Sequence, residues 1–270
     1  MTRPYAEVIG DPIAQSKSPM LHRFWLDKLG IEADYMRRHV TADGLTNYIA
    51  ERGDDPAWRG CNITLPHKQA ALDLVGDPGG VRDSIGAINT VIRGEDGALI
   101  GTNTDAAGFY APIADVDLAG KPVVVIGSGG AARAILFALA RCTVGPVTLL
   151  ARSALKGAAL LTHFGLAGSV KPLAAPLPPA ALLVNASSLG MTGQAPLDLD
   201  LSPLPDDAIV YDVVYAPLET ELLQAADARG LATIDGLEML VGQAALAFEL
   251  FFGAAPPRDA DEELRALLTS

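Results

Sequence analysis

Three glycines, Gly127, Gly129 and Gly130, directly follow the run Val123-Val-Val-Ile126 and lead into Ala131-Ala-Arg-Ala-Ile-Leu136. A buried strand, a tight turn and an alanine-rich helix therefore succeed one another, the context in which a glycine loop is informative. Gly127 is expected to make the turn and Gly129 to let a pyrophosphate approach the backbone. Ala132 permits close helix-to-strand packing where a third glycine is usual. Phosphates would sit at the helix N-terminus, where free amides and the dipole favour anions. The chemistry expected of such a loop is the holding of a dinucleotide that carries hydride. The next apolar run, Val147-Thr-Leu-Leu150, leads into Ala151, Arg152, Ser153 and, one helical turn on, Lys156. An NAD site would place Asp or Glu here for the ribose hydroxyls. Two cations and a hydroxyl suit a 2′-phosphate instead, so NADP is the expected cofactor. The competing reading is that Arg152 and Lys156 merely solvate a helix start.

Upstream lie four polar clusters: Gln15-Ser16-Lys17-Ser18-Pro19, Asn62-Ile-Thr64-Leu-Pro66-His67-Lys68, Gly86-Ala-Ile-Asn89-Thr90 and Gly101-Thr-Asn103-Thr104-Asp105. Each reads as the end of a strand, and strand carboxyl ends in an open α/β sheet face the ligand crevice, so the four can converge. Any one alone reads equally well as capping and turn chemistry.

The elements that must position these groups follow an α/β pattern. Short apolar runs alternate with helix-like segments, as in parallel strands joined by right-handed crossovers. Strands are expected near Ala6 to Ile9, Tyr35 to Val40, Gly60 to Ile63, Val123 to Ile126, Val147 to Leu150, Leu182 to Asn185, Ile209 to Val213 and Ala232 to Ile234. Ser18-Pro19 reads as a cap and first-turn proline for a helix ending at Gly30. The run Met239 to Phe252 is apolar nearly all round and reads as a buried helix. A helix begins near Thr104, and Lys171 to Pro179 is a loop or edge strand. With 270 residues, half of them hydrophobic, the chain can bury two domains. The formal charge of −12 argues against a nucleic-acid partner. Cys61 and Cys142 lack paired spacing and read as core thiols. The four histidines lack metal-ligand spacing, so no metal is expected. No segment has the length of a membrane span and no signal-like start is evident, so a cytoplasmic protein without a membrane partner is expected.

Together and in this order, the clusters and the glycine loop resemble the shikimate dehydrogenase family. The resemblance continues through Asn185-Ala-Ser-Ser188-Leu-Gly190-Met191, Tyr211-Asp212-Val-Val-Tyr215-Ala-Pro217 and Gly236-Leu-Glu-Met-Leu240-Val-Gly-Gln243. It implies reversible NADPH-dependent reduction of 3-dehydroshikimate to shikimate in aromatic amino-acid biosynthesis. It also implies a discontinuous open-sheet α/β catalytic domain, residues 1–105 with 236–270, and a Rossmann-type NADP-binding domain, residues 106–235. By that similarity Ser16 and Ser18 bind the substrate carboxylate, while Asn62, Thr64, Asn89, Asp105, Tyr215 and Gln243 hold its hydroxyl and carbonyl groups. Lys68 and Asp105 form the catalytic pair: the lysine exchanges a proton with the reacting oxygen, and the aspartate orients it. Thr64 and Pro66 suggest that Lys68 lies in the first turn of a helix. The cofactor contacts implied are Gly127, Ser128, Gly129, Gly130 and Ala131 of the loop, Arg152, Ser153 and Lys156 beyond it, and Ser187, Val213 and Gly236 in the later motifs.

Three positions depart from the family pattern: Gln15 where histidine is common, His67 where an aromatic is usual, and Ala151 in place of asparagine before Arg152. The last removes one adenosine-side hydrogen bond and is expected to soften NADP selectivity. His67 reads as a pocket-wall or surface residue, and Arg133 either approaches the phosphates or covers its helix. The alternatives are a dehydrogenase of quinate or aminoshikimate, or a relative that senses the acid without turning it over. Hydroxyls at both Ser16 and Ser18 favour shikimate, and an intact Lys68, Asp105 and glycine loop favour an enzyme. Oligomeric state, monomer or homodimer, is left open.

Overall fold

The computed structural model describes residues 3–269. The chain divides into two compact units, one ending at Thr104 and resuming at Val241, the other running from Asp105 to Leu240.

In the first unit, β1 (Tyr5–Gly10), α1 (Ser18–Leu29), β2 (Asp34–His39), α2 (Leu45–Gly53) and β3 (Trp58–Ile63) alternate as the apolar runs predict. They are followed by α3 (Val81–Ser84), β4 (Thr90–Arg93) and β5 (Leu99–Thr102). The sheet order is β2-β1-β3-β4-β5. β1 pairs in parallel with both β2 and β3, so the chain leaves β1 toward opposite edges and a switch point opens between β1 and β3. β4 and β5 lie outside the expected strands and run antiparallel, as a hairpin turned at Asp96 and Gly97, the latter with φ of 83°. The all-parallel expectation fails here for a concrete reason. Asn89-Thr90 stands at the start of β4, and only an antiparallel strand brings its start beside the end of β3.

Helix α1 begins one residue earlier in register than expected. Lys17 occupies the N-cap, Ser18 is the first helical residue, and Gly30 closes the helix with φ of 63°. On β1, buried Glu7 is paired rather than bare: Arg52 Nε donates to it at 2.7 Å and the Tyr48 hydroxyl at 2.8 Å. His22 is fully buried among Trp25, Tyr35, Phe248 and Phe251, with neither ring nitrogen hydrogen-bonded. Burial pushes its pKa down from 6.5 to about 3. The unfolded chain therefore binds a proton that the folded chain refuses, and the stability present above pH 6.5 is lost as pH falls toward 3. His22→Phe should remove this component. At one pH unit below 6.5, the parent should lose about 1.4 kcal/mol of unfolding free energy more than the variant, measured by urea titration.

The second unit carries α4 (Asp105–Tyr110), β6 (Val123–Ile126), α5 (Gly130–Arg141), β7 (Val147–Leu150), α6 (Ala154–His163), β8 (Gly168–Lys171), β9 (Leu182–Asn185), β10 (Ile209–Asp212), α7 (Glu221–Ala228) and β11 (Ala232–Ile234). Its six strands are all parallel in the order β11-β10-β9-β6-β7-β8. The order reverses between β6 and β9, which is the doubly wound arrangement with its ligand crevice at the ends of those two strands. The edge strand β8 lies just before the proline-rich stretch, which is a loop. Helix α8 (Gly236–Phe252) runs from the second unit into the first, and α9 (Asp261–Thr269) completes the first. Most of α8 is buried as its composition predicts, although Leu246 and Leu250 leave an exposed stripe. Gly60 explains the close seating of α8 on the first sheet: a Cβ there would lie 2.5 Å from the Phe251 ring.

No helix of the described residues is long and apolar enough to cross a membrane.

Candidate active site

In the first unit the switch point between β1 and β3 gathers the predicted polar residues. The strand ends are riveted together: Thr64 N–H donates to Ile9 O at 2.9 Å and Asp11 N–H to Leu65 O at 2.9 Å. Ser16 and Ser18 are both buried, with their hydroxyl oxygens 3.2 Å apart. The Ser16 backbone is fixed by Arg37, whose Nε donates to its carbonyl at 2.8 Å. Asn62, Asn89 and Gln243 are also buried and belong to one network with Thr90 and Thr104. Asn62 Nδ2 donates to Thr90 Oγ1 at 3.0 Å, and Thr90 Oγ1 donates to Asn89 Oδ1 at 3.0 Å. Asn89 Nδ2 donates to Thr104 Oγ1 at 2.9 Å and makes a longer contact of 3.5 Å with Gln243 Oε1. Neutral side chains far apart in sequence are thus brought together. Thr90, Thr104 and Tyr35, whose hydroxyl reaches Asn62, join them although the motifs assign them no role. Thr90 and Thr104 stand inside the polar clusters, but nothing in their residue type separates them from turn residues.

Thr64 and Lys68 are half-buried on the segment after β3. The expected α-helix at Lys68 is absent. The residue lies in consecutive turns ahead of a one-turn 3-10 helix, Ala70–Asp73, and its own carbonyl accepts the Ile88 N–H at 2.7 Å. Proline and threonine so close together favour turns as readily as a helix start. His67, expected at the pocket wall or surface, is buried, and its Nε2 donates to Val40 O at 2.7 Å. It fastens the β3 segment to the end of β2. Gln15 is exposed and reaches only Pro12 O.

In the second unit, Asp105 is buried at the start of α4, and Tyr215 is half-buried in the loop after β10. The glycine loop lies at the switch point of this unit. Gly127 has φ of 107°, and a Cβ there would lie 2.9 Å from Ala186 O, so both conformation and space exclude a side chain. At Gly129 nothing lies within 4 Å of a built Cβ, which leaves open space directly before the α5 N-terminus. Ser128 and Ala131 flank that space half-buried, and Gly130 and Ala132 are buried. Arg152, Ser153 and Lys156 are all exposed beyond β7. Ser153 caps α6, accepting the Lys156 N–H at 3.3 Å. The cations are therefore available, and the open cradle fits a pyrophosphate. Arg133 lies with its guanidinium 5.9 Å from the ring centroid of Phe164, the residue that closes α6.

Ser187 is turned inward. Its hydroxyl donates to Asn185 Oδ1 at 2.7 Å and accepts the Leu189 N–H at 3.2 Å, so it braces its loop. Behind it lies a carboxylate that the sequence motifs leave without a role. Asp212, fully buried, accepts from Asn185 Nδ2 at 2.9 Å, Val214 N–H at 3.0 Å and Thr220 Oγ1 at 2.7 Å. Burial raises its pKa, and these three donors oppose the rise. It ties together the loops after β9 and β10 and the cap of α7. Val213 N–H donates to Asn185 O at 3.1 Å, and a Cβ on Gly236 would lie 2.5 Å from the Val213 carbonyl, so these two positions are packed backbone to backbone.

A doubly wound parallel sheet with an open glycine cradle and exposed cations, joined in one chain to a second α/β unit rich in buried neutral donors, defines a dinucleotide-linked oxidoreductase. Residues 8–91 match the family model described as the shikimate dehydrogenase substrate binding domain, and residues 236–264 the shikimate 5'-dehydrogenase C-terminal domain. The chain is 69% identical over 267 residues to the shikimate dehydrogenase (NADP(+)) of Sphingopyxis alaskensis, covering 99% of this chain and 97% of that one. The chain belongs to the shikimate dehydrogenase family. Among solved structures it resembles shikimate 5-dehydrogenase from Thermus thermophilus in complex with NADP(H) and shikimate, with a TM-score of 0.85, 37% identity and coverage of 98% and 99%. Quinate dehydrogenase from Corynebacterium glutamicum in complex with NAD gives a TM-score of 0.85 at 30% identity, with coverage again 98% and 99%.

Proposed function

We propose that this protein is an NADP-dependent oxidoreductase that interconverts shikimate and 3-dehydroshikimate in aromatic amino-acid biosynthesis. The observation that carries the substrate class is the buried set Ser16, Ser18, Asn62, Asn89 and Gln243. A small acid bearing several hydroxyls needs such neutral donors and acceptors rather than an apolar pocket, and hydroxyl donors let a chain of net charge −12 hold an anion. Ser16 and Ser18 take the carboxylate; Asn62, Thr64, Asn89, Tyr215 and Gln243 take the ring oxygens. The substrate domain is read as residues 1–105 with 236–270 and the cofactor domain as 106–235.

NADP, held by the loop Gly127 to Ala131 and by Arg152, Ser153 and Lys156, supplies the hydride chemistry. Lys68 works at the reacting oxygen. In reduction it stabilises the charge that grows on the carbonyl oxygen and gives it a proton, and in oxidation it takes the hydroxyl proton. Asp105 orients the lysine and shares the hydroxyl. The enzyme works in the cytoplasm as a monomer or homodimer.

Purified protein mixed with shikimate and NADP+ should reduce the cofactor, followed by its absorbance. The kcat/KM with NAD+ should be about tenfold lower or less, because one charge-assisted contact to the 2′-phosphate accounts for a factor of that order. Arg152→Ala should narrow the gap. No reduction with shikimate would sink the reading, and faster turnover of quinate than of shikimate would move it to quinate.

A further inference from the structure

We propose that Tyr35 is a positioning residue for substrate binding: its hydroxyl orients the Asn62 amide so that Nδ2 is presented to a ring hydroxyl of the substrate. The inference rests on the reading of Asn62 as a substrate ligand, and it follows from the polarity of one hydrogen-bond chain. The chain starts at a group that cannot be turned around, the backbone N–H of Thr104, which donates to Asn89 Oδ1 at 2.7 Å. That settles which end of the Asn89 amide is oxygen. The Thr90 hydroxyl then gives its proton to the same oxygen at 3.0 Å and must accept at its own oxygen. The group it accepts from is Asn62 Nδ2, at 3.0 Å. Asn62 Oδ1 therefore faces the other way, where the Tyr35 hydroxyl donates to it at 2.6 Å.

Tyr35 is well suited to end such a chain. It is fully buried, and its ring is stacked on His22 with centroids 3.9 Å apart and planes 1° from parallel, so packing holds the ring without help from the hydroxyl. Burial raises its pKa well above 10, which keeps it a donor. With Oδ1 taken by Tyr35 and one Nδ2 hydrogen given to Thr90, the remaining Nδ2 hydrogen has only a long contact of 3.4 Å to Asn89 O. Such a contact is weak, so this is the hydrogen a substrate oxygen captures. Without the Tyr35 hydroxyl, Oδ1 loses its partner, and only the Nδ2 bond to Thr90 is left to oppose rotation of the amide.

The test is a double-mutant cycle read in KM. Tyr35→Phe, which keeps the ring and its stack, should raise the shikimate KM about tenfold, the factor expected for one buried hydrogen bond, and leave the NADP KM within about twofold. Asn62→Ala should raise the shikimate KM at least as much. In the Asn62→Ala background Tyr35→Phe should add nothing, because its route of action is gone. An unchanged KM in Tyr35→Phe beside an impaired Asn62→Ala, or fully multiplicative effects, overturns the role of Tyr35 and leaves Asn62 a ligand. A normal KM in Asn62→Ala overturns both. Should Tyr35→Phe fail to fold, Asn62→Asp puts the same question, since it keeps the acceptor for Tyr35 and removes the donor. Its shikimate KM should match that of Asn62→Ala, and binding like the parent refutes the orientation.

Discussion

Lys68→Ala should lower turnover about 10² to 10⁴-fold, the range lost when a general acid or base is removed, and leave NADP binding unchanged. The local structure makes this a chemical test rather than a folding test. Lys68 is half-buried, and its segment is held by backbone bonds that the substitution spares: the Lys68 carbonyl to the Ile88 N–H at 2.7 Å, and Thr64 N–H to Ile9 O at 2.9 Å. His67 beside it is anchored independently to Val40. Lys68→Arg separates the two tasks given to the lysine. A guanidinium keeps the positive charge but does not give up a proton near neutrality, so it preserves charge stabilisation and loses proton transfer. Turnover of the arginine variant should fall nearly as far as that of the alanine variant. The pH-rate profile should also lose the limb that reports the transferring group. A loss of only a few-fold in Lys68→Ala would remove Lys68 from the chemistry.

The second large effect separates two glycines that look alike in the sequence. Gly129→Val should cost no more than about 1 kcal/mol of stability, the order of an N-cap change, because the backbone there is extended and nothing in the protein lies within 4 Å of an added Cβ. Its NADP KM should nevertheless rise roughly a hundredfold, the loss expected when one or two charge-assisted bonds to a phosphate are displaced. Shikimate binding measured calorimetrically without cofactor should be unchanged. Gly127→Val should do the opposite and lower the unfolding midpoint, since φ of 107° and the Ala186 carbonyl 2.9 Å away penalise any side chain. Such a pair of outcomes would mark Gly127 as demanded by the fold and Gly129 by the ligand. If Gly129→Val bound NADP normally, the open cradle would not be the phosphate site.

Much of this could be read from residue order. The runs at Val123, Val147 and Leu182 match their strands to the residue, because strands buried on both faces are continuous apolar stretches bounded by glycine, proline or polar residues. β4 and β5 escaped because Thr90-Val-Ile-Arg93 and Leu99-Ile-Gly-Thr102 are not the continuous apolar runs that mark β6, β7 and β9, and because Asn89, Thr90 and Thr104 drew attention as polar clusters. The candidate site was legible, as a set of buried or loop positions brought together, where residue type limits the possibilities, as with Ser16, Asn89 and the glycine loop. It was illegible where a role depends on direction. Ser187 faces its own loop, His67 faces inward, and Asp212 is held by three donors from separate segments, none of which spacing along a chain can reveal.

The seating of Phe251 against Gly60 has a further meaning for a chain that emerges from the ribosome one end first. When Thr104 has been made, the first sheet is complete in strands but lacks α8, and the aromatic cage of His22 lacks Phe248 and Phe251. Residues 105–240 must be synthesised before those rings appear, roughly 7 to 30 s at ordinary elongation rates. The unit written in the middle of the gene is contiguous and can finish folding first. Until then α1 alone covers that side of the amino-terminal sheet, and the apolar surface that Phe248 and Phe251 will bury stays open to the wrong partners that threaten large chains as they fold.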